Sequence, residues 1–235
     1  ADAGLAFFGK EYASSSSDYS HTSQDDSNMT KSKGSATSPS SFNIPKLRAR
    51  AVCVDTEPKV VTDIYHKSMS STHQYPWSYS STNVLYRHGG AGNNWALGYQ
   101  MLSGEFLQTI LNAIKKEIEE CLSPPIILII HSTAGGTGSG LGTRLTEVLA
   151  YEFPSIPRAN ICISPYGTGE VAVQHYNTLL CLAKTSNVSD AIILLENDTA
   201  YELCKSMWKL TSPSLSDINN VITSQIMPFL LPKQK

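Results

Sequence analysis

An aliphatic run that breaks into glycines constrains this chain more than any other feature. Pro125-Ile-Ile-Leu-Ile-Ile130 reads as a buried strand, Ser132-Thr-Ala-Gly-Gly-Thr-Gly-Ser-Gly140 follows at once, and Leu141 to Ala150 is helical in period. A strand, a tight glycine turn and a helix N-terminus together make an anion cradle. Glycine lets the backbone approach a ligand, and the unpaired N–H groups of the first helical turn, aided by the helix dipole, favour a phosphate there. Thr137 and Ser139 are read as additional hydroxyl donors. The plainer alternative is a turn that only packs helix against strand.

The known mononucleotide signatures do not fit the stretch. Gly135 and Gly140 have Walker A spacing, but Leu141 stands where the lysine is required. Gly-x-Gly-x-x-Gly fails in every register, which argues against a dinucleotide oxidoreductase. A phosphate loop of this kind must rely on backbone donors and a metal ion.

The rest of the chain alternates short apolar runs with helical patterns. Strands are expected at 49–55, 125–131, 160–165 and 190–195, and helices at 57–67, 107–122, 140–152, 174–184, 198–208 and 216–230. Residues 68–101 read as one long irregular stretch, a length that is usually functional in a compact domain. Leu107, Ile110, Leu111, Ile114, Ile118 and Leu122 are expected on one buried helical face, and Ala200, Leu203, Cys204, Met207 and Trp208 on another. Alternation of this kind implies an α/β fold, a parallel sheet with helices on both faces, whose ligands bind beyond the carboxyl ends of the strands. Residues 1–47, crowded with serine, lack hydrophobic periodicity and are expected to be a disordered segment, with Ser38-Pro39 a possible phosphorylation dipeptide.

Composition narrows the class. With 235 residues, a net charge of −2 and 16% charged residues, the chain implies no nucleic-acid partner. Ile126 to Ile130 is too short to cross a membrane, so none is expected. The five scattered cysteines read as reduced core thiols of a cytosolic protein, and the Asn-x-Ser/Thr sequons at Asn28, Asn187 and Asn197 as chance matches. A start at Ala1 is read as a fragment or processed product.

Other candidate residues lie at strand ends. Asp55 and Glu57 would hold Mg2+ through water beside phosphates, or else cap a helix. Gly89-Gly-Ala-Gly-Asn-Asn-Trp95 offers N–H groups for an outer phosphate, or is an ordinary turn. Tyr166-Gly-Thr-Gly-Glu170 would approach a ribose. Asn197 and Asn219 would match the edge of guanine, or serve as caps.

Five ordered blocks carry a resemblance. Ala134-Gly-Gly-Thr-Gly-Ser-Gly140, Val54-Asp-Thr-Glu-Pro58, Gly90-Ala-Gly-Asn-Asn-Trp95, Glu196-Asn-Asp198 and Asp217-Ile-Asn219 together resemble the tubulin family, over about Arg48 to Gln225. Asn93-Asn-Trp-Ala96, Pro165-Tyr-Gly-Thr-Gly-Glu-Val171, His175-Tyr-Asn177 and Ser216-Asp-Ile-Asn219 look most like its centriole-associated delta branch. The resemblance implies a Rossmann-like tubulin/FtsZ GTPase domain over 48–235, incomplete at its N-terminus. It implies GTP or GDP with Mg2+ as ligands. Ser132, Gly135, Gly136, Thr137, Gly138 and Ser139 would wrap the phosphates, and Ala91, Gly92 and Asn93 would face the outer one. Asp55 and Glu57 would lie near Mg2+, Glu170 near the ribose, and Asn197 and Asn219 on guanine.

The expected partners are other tubulins or microtubule and centriole components, and the expected location is the cytoplasmic cytoskeleton, at centrioles and basal bodies. Gln174 replaces a ribose-binding glutamate of the family, and Leu215 an aromatic ring that stacks on the base. By the same likeness, an opening strand with its own phosphate loop belongs before Ala1, and a loop that promotes hydrolysis on a neighbouring subunit belongs after Lys235. GTPase activity is therefore expected only of a full-length protein assembled with a neighbour. The alternative is an interaction module that keeps the fold without binding GTP.

Overall fold

A computed structural model describes residues 47–70, 77–169 and 171–230. The expected disordered segment at 1–47, with Ser38-Pro39, lies outside the described residues except for Leu47, and so does Glu170.

The elements run in the order β1 (Leu47–Arg48), β2 (Cys53–Asp55), α1 (Pro58–Met69), β3 (Trp77–Ser78), β4 (Val84–Tyr86), α2 (Trp95–Met101), α3 (Gly104–Glu119), β5 (Ile127–Ser132), α4 (Gly142–Glu152), β6 (Arg158–Ser164), α5 (Gln174–Thr185), β7 (Ala191–Glu196), α6 (Asn197–Met207) and α7 (Leu215–Leu230). Every strand pairing among the described residues is parallel. β5, β6 and β7 form one sheet, β2 pairs with β4, and β1 with β3. In the larger sheet Ser132 stands opposite Ile163 and Ser164 opposite Glu196, so the carboxyl ends of its strands reach one edge together.

The period of two in β5 explains the layering. Ile127 and Ile129 enter a core with Val52, Val54 and the apolar faces of α3 and α4, whereas Leu128 and its neighbour Ile130 pack with Ile161, α6 and α7. Helices cover both faces, as a parallel sheet requires. Full burial of a side chain such as Ile129 stabilises the fold by about 2 kcal/mol.

Polar contacts hold the segment between β1 and β2, and the turn before β4, to the end of α3. Buried Glu117 accepts from Asn83 Nδ2 at 2.7 Å and pairs with Arg50 Nε at 3.3 Å and Arg48 at 3.4 Å.

Three expectations change. The stretch 68–101 is not uniformly irregular, because it contains β4 and α2. Helix α2 starts where Asn94 accepts the Leu97 N–H at 3.1 Å, a cap that turns an Asn-rich loop into a helix. Helix α3 stops at Glu119, which leaves Leu122 on the surface rather than on the buried face. In α6 the buried seam is Ala200 and Cys204, while Met207 and Trp208 lie exposed in and just beyond its last turn.

Candidate functional site

The glycine stretch leaves β5 and enters a single π-helical turn, Thr137–Leu141, that feeds directly into α4. Three of its glycines are required by close approach. A Cβ on Gly136 would meet Ala91 Cβ at 2.6 Å and Asn94 N at 2.9 Å, one on Gly138 would strike the Ser132 backbone, and one on Gly140 the backbone of Trp95 and Tyr99. The small residues therefore let the turn after β5 press against the loop before α2. Close packing against that loop is thus one role of the turn.

The hydroxyls divide their roles. Ser139 Oγ donates to the Gly135 carbonyl, and Thr137 Oγ1 lies 2.6 Å from Thr56 Oγ1. Both bonds are buried, so these hydroxyls support the turn from within instead of standing free for a ligand. Ser132 Oγ accepts the Ala134 N–H at 3.1 Å and keeps its own proton available to another acceptor. The N–H groups at the start of the turn are those that a helix N-terminus leaves without an intrahelical partner.

The second glycine loop stands against the first. Gly90 (φ +60°), Gly92 (φ +54°) and Asn93 (φ +50°) are left-handed, a conformation that glycine and asparagine tolerate. Gly90 N–H donates to the Thr56 carbonyl at 3.1 Å, and a Cβ on Gly90 would come within 2.9 Å of Glu57 Oε1. Ala91 is buried against Gly136. The segments 55–57, 90–94 and 134–138 therefore converge from three parts of the chain.

The N-cap position falls on Glu57 rather than on Asp55. Helix α1 begins at Pro58 with Glu57 as its N-cap, and the Glu57 carboxylate makes no capping bond. Asp55 is 2% exposed, and its Oδ1 accepts the Thr56 N–H at 2.7 Å. No group of three His, Cys, Asp or Glu suited to a metal occurs among the described residues. These two carboxylates thus fit Mg2+ only where a nucleotide supplies further oxygens, the water-mediated mode.

At the other end of the edge, Asn197 opens α6 after the N-cap Glu196, and Asn219 lies one turn into α7. Neither acts as a cap. At the start of α7, Asp217 accepts from both the N–H and the Oγ of Ser214, which pulls its carboxyl below the ordinary carboxylate value. Neither asparagine amide is engaged by another described side chain or backbone group. Their neighbours Asp198 and Ile218 line one cleft of about 300 Å3 together with Tyr166, Tyr201 and Leu215. Asp198 also accepts the Gly167 N–H at 2.7 Å, which ties the turn after β6 to α6.

Gln174 is 3% exposed and donates to the Tyr166 carbonyl at 2.7 Å. Its amide is directed into its own loop. Two further residues, Thr56 and Asn177, lie within blocks that carry the family resemblance but receive no role from the sequence. Thr56 sits between the two carboxylates. Asn177 is 3% exposed on α5 and bonds to the backbone at Asn93, Trp95 and Ala134. The signal for it is a polar residue at a helical position whose period matches buried Gln174, Cys181 and Thr185.

Beneath the turn lies buried His131. Its Nε2 is 3.1 Å from Asn160 Oδ1 and its Nδ1 3.3 Å from the Ser132 carbonyl, and a Cβ on Gly142 would meet the ring at 3.2 Å. Burial pushes its pKa below the ordinary histidine value.

Residues 28–205 match the Tubulin/FtsZ family, GTPase domain. The tubulin delta chain of Homo sapiens is 42% identical over 178 residues, which cover 76% of this chain and 39% of that protein. The tubulin delta chain of Canis lupus familiaris is 41% identical over the same share of each chain, and that of Mus musculus 40% identical over 76% of this chain and 38% of its own. The chain thus spans about two-fifths of the length of these relatives.

Proposed function

The chain belongs to the Tubulin/FtsZ family through its GTPase domain, and on that premise we propose that it binds GTP or GDP with Mg2+. The observation that carries this reading is the convergence of three strand-end segments, joined by the Thr56–Thr137 and Gly90–Thr56 bonds, at a helix N-terminus. Backbone N–H groups at Gly135, Gly136, Thr137 and Gly138 receive the inner phosphates, with Ser132 Oγ beside them. Ala91, Gly92 and Asn93 face the outer phosphate. Mg2+ offsets phosphate charge when bound, and Asp55 and Glu57 orient its water ligands.

Guanine is recognised by Asn197 and Asn219. Each offers both a donor and an acceptor, and both amides are unengaged by the described residues. Leu215 supplies an aliphatic contact in place of a ring, which weakens stacking on the base. Glu170 lies on the segment nearest the ribose in the family pattern. In the whole protein, the domain serves assembly with other tubulins or with microtubule and centriole components, in the cytoplasmic cytoskeleton at centrioles and basal bodies. Among the described residues, no helix is long and apolar enough to cross a membrane.

Identification of the nucleotide released from the purified, denatured protein tests the reading. Guanine nucleotide is expected, and adenine nucleotide alone would overturn it. If the chain is instead an interaction module that keeps the fold, neither is released and added GTP does not bind.

A further inference from the structure

Helix α5 presents one side chain to both glycine loops. Asn177 Nδ2 donates to the carbonyls of Asn93 at 2.8 Å and Ala134 at 2.7 Å, while its Oδ1 accepts the Trp95 N–H at 3.0 Å. Both amide hydrogens and the carbonyl oxygen are therefore used, each on backbone. The next residue adds a second hold. Thr178 Oγ1 lies 3.0 Å from Thr133 Oγ1 and 3.3 Å from the Thr133 carbonyl, where β5 gives way to the glycine turn.

We propose that Asn177 is a positioning residue for phosphate binding, holding loops 90–94 and 134–138 in a single frame before the nucleotide arrives. The proposal rests on the nucleotide reading above, although the bonds themselves do not. The two loops are far apart in sequence, and their N–H groups serve one phosphate chain only if their relative placement is fixed. A frame set in advance removes the ordering cost that binding would otherwise carry.

The residue type is specific. An aspartate would set negative oxygens against two carbonyls, and an alanine would leave buried donors and acceptors without partners. Asn177 touches no expected contact atom of the nucleotide and so acts through the loops.

The test compares the 235-residue chain with its Asn177→Asp and Asn177→Ala variants. Hydrogen exchange is measured without nucleotide, and Mg·GTP titrations are run from neutral pH down to about pH 5, near the carboxylate range. Both variants are expected to exchange the amides of both loops at least about tenfold faster, with β6 and α7 unchanged, and to bind GTP at least about tenfold more weakly. The aspartate variant should lose more affinity than alanine at neutral pH. It should recover part of that loss, relative to wild type, as acid restores an O–H donor. Alanine should show no such recovery.

Unchanged loop exchange would overturn the proposal, as would loosening spread equally through β6 and α7, or unaltered affinity in both variants beside a wild type that binds GTP. A wild type that does not bind GTP overturns the nucleotide reading instead, and the phosphate role of Asn177 falls with it. If the aspartate variant does not fold, the alanine variant decides by the same two measurements.

Discussion

The hydroxyl oxygens of Thr56 and Thr137 lie 2.6 Å apart in the interior, joining the turn after β2 to the glycine turn after β5. The bond joins loops of two sheets that share no strand pairing among the described residues. Valine at either position keeps the shape and removes the hydroxyl. In a double-mutant cycle, Thr56→Val and Thr137→Val should show a coupling of about 1 kcal/mol by urea unfolding. Strict additivity would show that the hydroxyls do not interact.

Glu117 anchors Arg48, Arg50 and Asn83 from one buried position. Replacing it with glutamine keeps the volume and removes the charge that faces two guanidinium groups. Glu117→Gln should destabilise the fold by about 2 kcal/mol, chiefly through Arg50, because Arg48 is partly exposed and keeps its pair with Glu120. A loss below about 0.5 kcal/mol, the range of ordinary surface changes, would contradict this.

Buried His131 gives the fold an acid-sensitive group. Its folded pKa is depressed, so the unfolded chain takes up the proton first as pH falls below the ordinary value of 6.5. Its contribution is therefore present above pH 6.5 and is lost as pH drops toward the lower folded value, by at most about 1.4 kcal/mol per pH unit. Unfolding measured across that window should show a shallower slope in His131→Gln than in wild type. Identical slopes would remove His131 from the account.

The cysteines should differ sharply in reactivity. Burial pushes Cys53 and Cys181 up to about 11, and raises Cys162 as well, whereas Cys121 is only half-buried. Alkylation of the folded chain at pH 8, followed by peptide mapping, should label Cys121 first and reach Cys162 and Cys181 only on unfolding. Early labelling of either buried thiol would contradict the core described here.

Much of this was legible in residue order. The Ile127–Ile130 run, the glycines behind it and the alternating helices were enough to indicate a parallel sheet with a tight glycine turn at its carboxyl edge. Boundaries were less so. Leu122 continues the apolar period of α3 but lies past its end, and Asn94 starts a helix in what reads as a loop.

Helix α5 was the hardest to read, because its pattern runs opposite to the usual one. It buries Gln174, Asn177, Cys181 and Thr185 and exposes Tyr176, Leu179 and Leu180. Hydrophobic periodicity finds a helix there, but assigns the wrong face to the interior. The inward side is polar because it meets loop backbone, whose carbonyls and N–H groups need partners. Contacts between distant segments, such as those of Asn177, have no local signature.

Competitive titration is the most direct test of the central claim that the converging loops hold a guanine nucleotide. The chain is incubated with labelled GTP and Mg2+, then challenged with unlabelled GTP, GDP or ATP. Micromolar, Mg2+-dependent binding is expected, displaced by GTP and GDP and at least about tenfold less well by ATP, since two asparagines read the base. Absence of binding, or displacement by ATP as readily as by GTP, would contradict it.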